Sequence, residues 1–270
     1  FVDWIWYTFF YYLYSFNIFL LTNVLGPMKQ AYLNMPVIST FVLFMGAGYI
    51  IGGLRSCLIV GSLILFIALS EYWDRTLITL YMATFAVGVS AISGIIVGSL
   101  CSQNDFASKS ILSICDFFQT FPSFIYLIPV ILLFGITDTS VMIAAIVYAS
   151  VPATRYTVEG LRSVPSSLHD AGSMSGVSKL QRWRLIDLPL ALPHIMLGIN
   201  QTVIFALMMI VLGALIGTED LGQLIMGSLS RPNGAGIGFT LGIFISFICL
   251  AVDNLIRTWA DERKKLLGIE

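Results

Sequence analysis

The chain has 270 residues, of which 57% are hydrophobic and 11% charged, and its net charge is −1. Soluble domains carry about a quarter charged residues, so a chain this apolar cannot cover a water-facing surface and its main solvent is read as lipid. The near-neutral balance, with no clustered basic face, excludes nucleic acid as a partner.

The chain opens on Phe1 rather than Met, and its native start is expected upstream; no secretory signal pattern is present. Residues 1–34 are crowded with Trp4, Trp6, Tyr7, Phe9, Phe10, Tyr11, Tyr12 and Tyr14. Trp and Tyr favour the headgroup layer, where the ring is apolar and its tip is wet. The segment is therefore expected to form an external interfacial helix. An aromatic cage for a quaternary ammonium is the rarer arrangement of the same residues.

Seven apolar stretches follow: Met35 to Gly53, Leu54 to Ser70, Thr76 to Cys101, Asp116 to Phe134, Thr139 to Ala153, Leu190 to Gly217, and Gly236 to Trp259. A spanning helix needs about 20 such residues. The second and fifth are short, and Arg55 divides the first two weakly, so six is the competing count. Period-two alternation is missing, which argues against a barrel, whereas helices close their own hydrogen bonds in lipid. The fold class is thus an all-α membrane protein. Cys57, Cys101, Cys115 and Cys249 lie in or beside apolar stretches without a CxxC pair, and read as free, small hydrophobes.

Lys and Arg set orientation. Lys109 follows the third stretch. Arg155, Arg162, Lys179, Arg182 and Arg184 fill the loop before the sixth. Arg263, Lys264 and Lys265 open the tail, 263–270. These regions are expected in the cytoplasm, with the N-terminus outside.

The loop over 155–189 is the informative one. Pro165 suits a first helical turn, Gly176 a helix-ending turn, and Ser178 with Gln181 a capping box opening a second helix. Leu180, Trp183 and Ile186 share a face, while Lys179, Arg182 and Arg184 reach for water or lipid phosphate. Pro189 and Pro193 flank the entry into the next span. The result is a helix–turn–helix expected to lie on the cytoplasmic surface, suited to docking a soluble partner.

Asp170-Ala171-Gly172, then Gly176, then Ile186, Leu188 and Pro189 resemble the EAA loop of ABC importer permeases: E-A-A, three residues, G, nine residues, I-x-L-P. Asp170 stands in the Glu place, one methylene shorter, and Gly172 in an Ala place, where it weakens a helix by about 1 kcal/mol. The resemblance implies a type I (MetI-like) permease fold in the bacterial inner membrane, with peripheral helices over 35–71 and a core over 72–262. It implies that Leu168, His169, Asp170, Ala171, Gly172, Gly176, Ile186, Leu188 and Pro189 couple to cytoplasmic ATPase subunits, which hold the ATP and Mg. It further implies an external substrate-binding protein and a second permease copy or a relative, with the pore between the two. Phe118 to Pro129, Leu133 to Ile136, Gly198 to Thr202, Gly217 to Gln223 and the opening Phe1-Val2-Asp3-Trp4 look like the glycine betaine, proline and choline permeases, which implies a methylated amine as substrate.

Polar residues within spans are default functional candidates. Gln119 and Pro122, at the fourth stretch, and Asn200, Gln201 and Thr202, in the sixth, are candidate pore residues; hydrogen bonding between helices is the competing role. Asp253 and Arg257, four apart, are read as a local ion pair. No GxxxxGK[ST] loop is present, so the chain is expected to bind no cofactor and hydrolyse no ATP itself. His169 and His194 lack metal-ligand spacing. Other readings are an ABC permease for an amino acid or other small polar solute, and a gradient-driven secondary transporter. The latter calls for internal repeats and buried carboxylates, and no convincing repeat appears.

Overall fold

A computed structural model describes residues 2–168 and 174–268. Every element among them is helical, as the composition and periodicity predict, and no strand occurs among the described residues. Among the described residues six helical stretches are long and apolar enough, by length and composition, to cross a membrane, the folded stretch 37–68 among them, or seven if one bent pair is a single span.

The chain begins with α1 (Val2–Leu20) and α2 (Gly26–Leu33), joined through a π-helical turn at Leu21–Leu25. The stretch 8–33 is long and apolar enough to cross a membrane. Some of its polar side chains reach distant parts of the chain: Asn17 Nδ2 donates to the Phe134 carbonyl at 3.1 Å, and Lys29 Nζ lies 3.1 Å from Glu219 Oε2.

α3 (Val37–Ala68) is folded on itself. Gly52 and Gly53 leave helical geometry, Gly53 at φ 64°. A Cβ on Gly48 would lie 3.0 Å from Cys57 Cα, and one on Gly61 would lie 3.0 Å from Met45 Cγ. In a straight helix those pairs would be about 13 and 24 Å apart. The two stretches separated at Gly53 and Leu54 are therefore antiparallel arms of one hairpin. Each arm is about 22 Å long, short of the roughly 30 Å hydrocarbon core. Ser56 Oγ donates to Asn254 Oδ1 at 2.8 Å and pins the hairpin to the last helix.

The core is α4 (Trp73–Cys101), α7 (Asp138–Arg162), α9 (Leu188–Leu212) and α11 (Ala235–Leu267), with α7 packed between α4 and α9. Lipid gives apolar helices no reason to associate, so close packing and interhelical hydrogen bonds must hold them. Small residues permit the close approach. A Cβ on Gly94 or Gly98 would run into Ala153, Thr154 or Thr157 of α7, and one on Gly198 into Tyr156. Gly213 backs onto Val141 in the same way, but Gly217 does not pack: it turns the chain at φ 87°. Tyr81, Met82, Met142, Leu207, Met209 and Ile210 are fully buried between these helices.

Two spans differ from the apolar stretches. The stretch Asp116 to Phe134 is not one straight helix. α5 (Asp105–Thr120) ends at Phe121 and Pro122, whose backbones are extended, and a 3-10 turn at Ser123–Tyr126 leads into α6 (Leu127–Phe134). The two limbs meet at 105°. Pro122 drives the preceding residue out of the helical region, and the chain turns there. The fifth stretch continues to Arg162, so Arg155 and Arg162 lie on α7 and not in a loop.

Candidate functional site

The segment that carries the spaced glycine, capping and proline residues begins after α7. Residues 166–168 are helical, and Leu168 is exposed. His169, Asp170, Ala171 and Gly172 lie outside the described residues. Gly176 sits at φ 72°, the left-handed region that glycine adopts without penalty. Ser178 Oγ accepts from Gln181 N and Gln181 Oε1 accepts from Ser178 N at 2.9 Å, the capping box expected from the spacing. The box opens α8 (Lys179–Arg182), which passes through a π-helical turn at Trp183–Asp187 directly into α9. The second helix is thus the foot of a span and not a separate surface helix; Pro189 sits in the first turn of α9, where its missing N–H breaks no bond. Met174, Leu180 and Leu185 are at least two-thirds exposed, while Ile186 and Leu188 are half-buried. Asp187 escaped the sequence reading. It is 7% exposed and takes Arg182 Nε at 3.5 Å, which fixes the foot of the helix.

Arginines on α7 hold the bent pair at this basic end. Arg155 pairs with Asp116 and Arg162 with Asp105, both on α5, and Arg162 Nη1 also donates to Ser108 Oγ at 2.9 Å. Each pair joins residues 39 or 57 apart, beyond the reach of any local pattern.

Among the candidate pore residues, Asn200 is 2% exposed and donates to Asp253 Oδ1 at 2.6 Å; Arg257 Nε reaches the same oxygen at 2.6 Å. The Asp253–Arg257 pair stands as expected, and Asn200 ties α9 to α11 through it. Thr202 is fully buried and returns its hydroxyl to the Gly198 carbonyl at 2.9 Å. Gln119 and Pro122 are exposed at the end of α5, and Gln201 is half-buried on α9. Neither glutamine side chain has a hydrogen-bond partner among the described residues. Beside them runs an aromatic series: Phe118 lies 6.1 Å from Tyr126, Tyr126 5.2 Å from Tyr148, and Tyr148 4.9 Å from Phe205, with the last pair stacked. The Tyr126 hydroxyl donates to the Phe118 carbonyl and closes the bend at Pro122.

The end of the bundle opposite the basic residues carries a second polar group. Lys29 joins Glu219 and Asp138 (3.1 and 3.7 Å), and Tyr81 donates to Asp138 Oδ2 at 2.8 Å. Arg75 Nη1 donates to the Glu219 carbonyl at 2.7 Å. Asp220 is fully buried and caps α10 (Leu221–Leu229) by accepting from Gln223 N at 3.1 Å. Burial pushes its carboxyl up to about 6, whereas Lys29 holds that of Glu219 below its usual range. The sequence signals the cap, since Asp220 stands just before an apolar run. Nothing local signals the long-range pairs. No cluster of three or more metal-ligating side chains occurs among the described residues.

Residues 90–265 match the family described as binding-protein-dependent transport system inner membrane component. The chain is 62% identical to the trimethylamine N-oxide transport system permease protein of Pelagibacter ubique, over 99% of its length and 37% of that relative's. It is 40% identical to the permease of the same description in Ruegeria pomeroyi, over 91% of its length and 37% of the relative's. It is 32% identical to the glycine betaine transport system permease protein of Bacillus subtilis, over 72% of its length and 68% of the relative's. The chain spans little more than a third of the two trimethylamine N-oxide permeases it matches.

Proposed function

We propose, for a chain that belongs to the family of binding-protein-dependent inner membrane transport components, that it forms the membrane passage of an ATP-driven importer of methylated amines, with trimethylamine N-oxide as the leading substrate. The observation that carries the substrate is 62% identity across 99% of this chain to a trimethylamine N-oxide permease. Relatives near 30% identity are described as glycine betaine and carnitine permeases, so the wider class is a small cationic or zwitterionic methylated amine.

In this reading the 163–189 segment meets an ATPase subunit in the cytoplasm, and the N-terminus lies outside. Three features support it: Gly176 in its left-handed turn, the capping box of Ser178 and Gln181, and the exposed Leu168, Met174, Leu180 and Leu185. Exposed apolar groups among basic ones suit a protein partner. Because α8 runs into α9 without a break, a push on the segment reaches the middle of the bundle through one rigid element. An external binding protein delivers the substrate, and a second permease copy completes the passage. Arg155 and Arg162 on α7 and Asp253 with Arg257 on α11 are paired within the chain, and the buried carboxylate Asp220 serves as a helix cap outside the spans, whereas a gradient-driven carrier would titrate carboxylates within them.

The test is reconstitution in proteoliposomes with the ATPase and binding protein, followed by uptake of labelled trimethylamine N-oxide. Uptake is expected to require ATP. Uptake that runs on a sodium or proton gradient without ATP overturns the mechanism. ATP-driven uptake confined to an ordinary amino acid overturns the substrate class.

A further inference from the structure

Three polar groups have no hydrogen-bond partner among the described residues: the Gln201 carboxamide and the Tyr148 hydroxyl, halfway along α9 and α7, and the Gln119 carboxamide, exposed at the end of α5. Tyr148 lies about 15 Å from one end of α7 and about 21 Å from the other; Gln201 sits near the middle of α9. Hydrocarbon offers such groups nothing, and a stranded polar group there costs several kcal/mol. The side of the bundle that carries Gln201 and Tyr148 therefore meets water, solute or another protein surface, not lipid. The same side carries the rings. Phe205 follows Gln201 by four residues and shares its face of α9. Tyr148 and Phe205 are half-buried, so part of each ring stays open. Tyr126 and Phe118 continue the series to the bend at Pro122, and Gln119 stands exposed at that bend, at the end of α5.

We propose that these rings and the two glutamines form a transit site for the substrate inside the membrane. The methylated ammonium would slide across the open faces of Tyr148 and Phe205, and its attached oxygen would accept from a glutamine N–H. The proposal rests on the methylated-amine reading above. Its chemistry is specific. An ammonium whose methyl groups cover its charge cannot use a hydrogen-bond acceptor, but it is attracted to an aromatic face by about 0.5–2 kcal/mol. Neutral amide donors hold an oxygen less tightly than a guanidinium does, and the nearby Arg155 is already engaged by Asp116. Weak contacts on both poles let a solute move on where a binding protein would retain it. Packing alone accounts for ring distances of 4.9–6.1 Å, but it leaves the three unpartnered polar groups unexplained.

The test uses the full importer in proteoliposomes, with labelled trimethylamine N-oxide uptake and ATP hydrolysis measured together. Wild-type uptake is the control for the functional reading; its failure would sink that reading separately. Given wild-type uptake, Phe205 is replaced by phenylalanines carrying one, two and three ring fluorines, which drain the face of negative potential with little change in shape. Solute moved per ATP is expected to fall stepwise with fluorine number, while the melting temperature stays constant. Tyr148→Trp is expected to keep uptake and Tyr148→Leu to lower it about tenfold. A flat fluorine series, or wild-type uptake by Tyr148→Leu, overturns the proposal. If Tyr148→Leu fails to fold, the fluorine series alone decides.

Discussion

The two ends of the bundle are built on opposite plans. At the basic end, apolar side chains at Leu168, Met174, Leu180 and Leu185 face outward. The turn between them is fixed by one left-handed glycine and one capping box. At the other end, Lys29, Arg75, Tyr81, Asp138 and Glu219 answer one another across α2, α4, α7 and the turn before α10, and the buried Asp220 caps α10 beside them. At the basic end the turn is ordered locally and leaves its apolar side chains exposed, although Arg155 and Arg162 tie α7 to α5 beside it; the other end spends its polar groups holding its own segments together. Substitutions at the first should therefore disturb coupling with little loss of stability, and those at the second should do the reverse.

The largest effect is expected at Gly176. A β-branched residue in the left-handed region is strained by about 1–3 kcal/mol, and the turn would move to relieve it. Gly176→Val should lower ATP-driven uptake at least tenfold while the melting temperature shifts little. Gly176→Asn should retain most activity, because Asn tolerates this conformation. Full uptake by the valine variant would remove the turn from the coupling path. A large drop in melting temperature would erase the contrast between the two ends.

Asp220 tests the other end. Its carboxyl is pushed up to about 6 by burial. Between about pH 4 and 6, the folded chain holds a proton that the unfolded chain has released. Stability therefore falls as pH rises through that window and stays on the lower plateau above it. Two units correspond to about 3 kcal/mol as an upper bound. Asp220→Asn keeps a good cap without the charge. Its melting temperature at neutral pH should equal or exceed that of the wild type, and the slope between pH 4 and 6 should disappear. A retained slope would assign the titration to another group.

The turn at the basic end is readable in the sequence because its devices are local, unlike the Arg155–Asp116 and Arg162–Asp105 pairs beside it. Pro165, Gly176, Ser178 and Gln181 act within a few residues of themselves, and the Gly176 turn and the capping box stand where their spacing puts them. The same locality explains the Gly52–Gly53 division of the first two apolar stretches. What the spacing could not show is which elements run on. Nothing in Trp183 to Asp187 says that the helix continues through a π-turn into the span, and the apolar run around Pro122 hides a 105° bend. The self-contained end was illegible for a different reason. Lys29 meets Glu219 across 190 positions, and Tyr81 meets Asp138 across 57; only packing brings them together. Asn200 was singled out as a polar residue in a span, and its partner Asp253 became visible only in three dimensions.

Tyr81→Phe should have a middling effect. It removes one hydrogen bond to Asp138 from a ring that is otherwise fully buried. The loss should be about 1–2 kcal/mol of stability, read as a lower melting temperature with uptake per ATP unchanged. A fall in uptake without a fall in melting temperature would mean that this end, too, takes part in the transport cycle.

The smallest effect is expected at Lys29. Its side chain is about a quarter exposed, and that of its partner Glu219 is 62% exposed, so solvent screens much of the attraction and the pair contributes on the order of 0.5 kcal/mol. Lys29→Met should release the Glu219 carboxyl upward toward its ordinary range, since Lys29 is the main cause of its depression. A depressed carboxyl stabilises the fold above its unfolded pKa, and that contribution fades as pH falls through the folded value. The variant should therefore differ from the wild type only near neutral pH and in low salt, and the difference should close in acid or at about 1 M salt. A larger loss that salt does not touch would show that Lys29 acts by packing α2 against the bundle and not by charge. The opposite end would then be held mainly by its apolar contacts, with the polar network as their consequence.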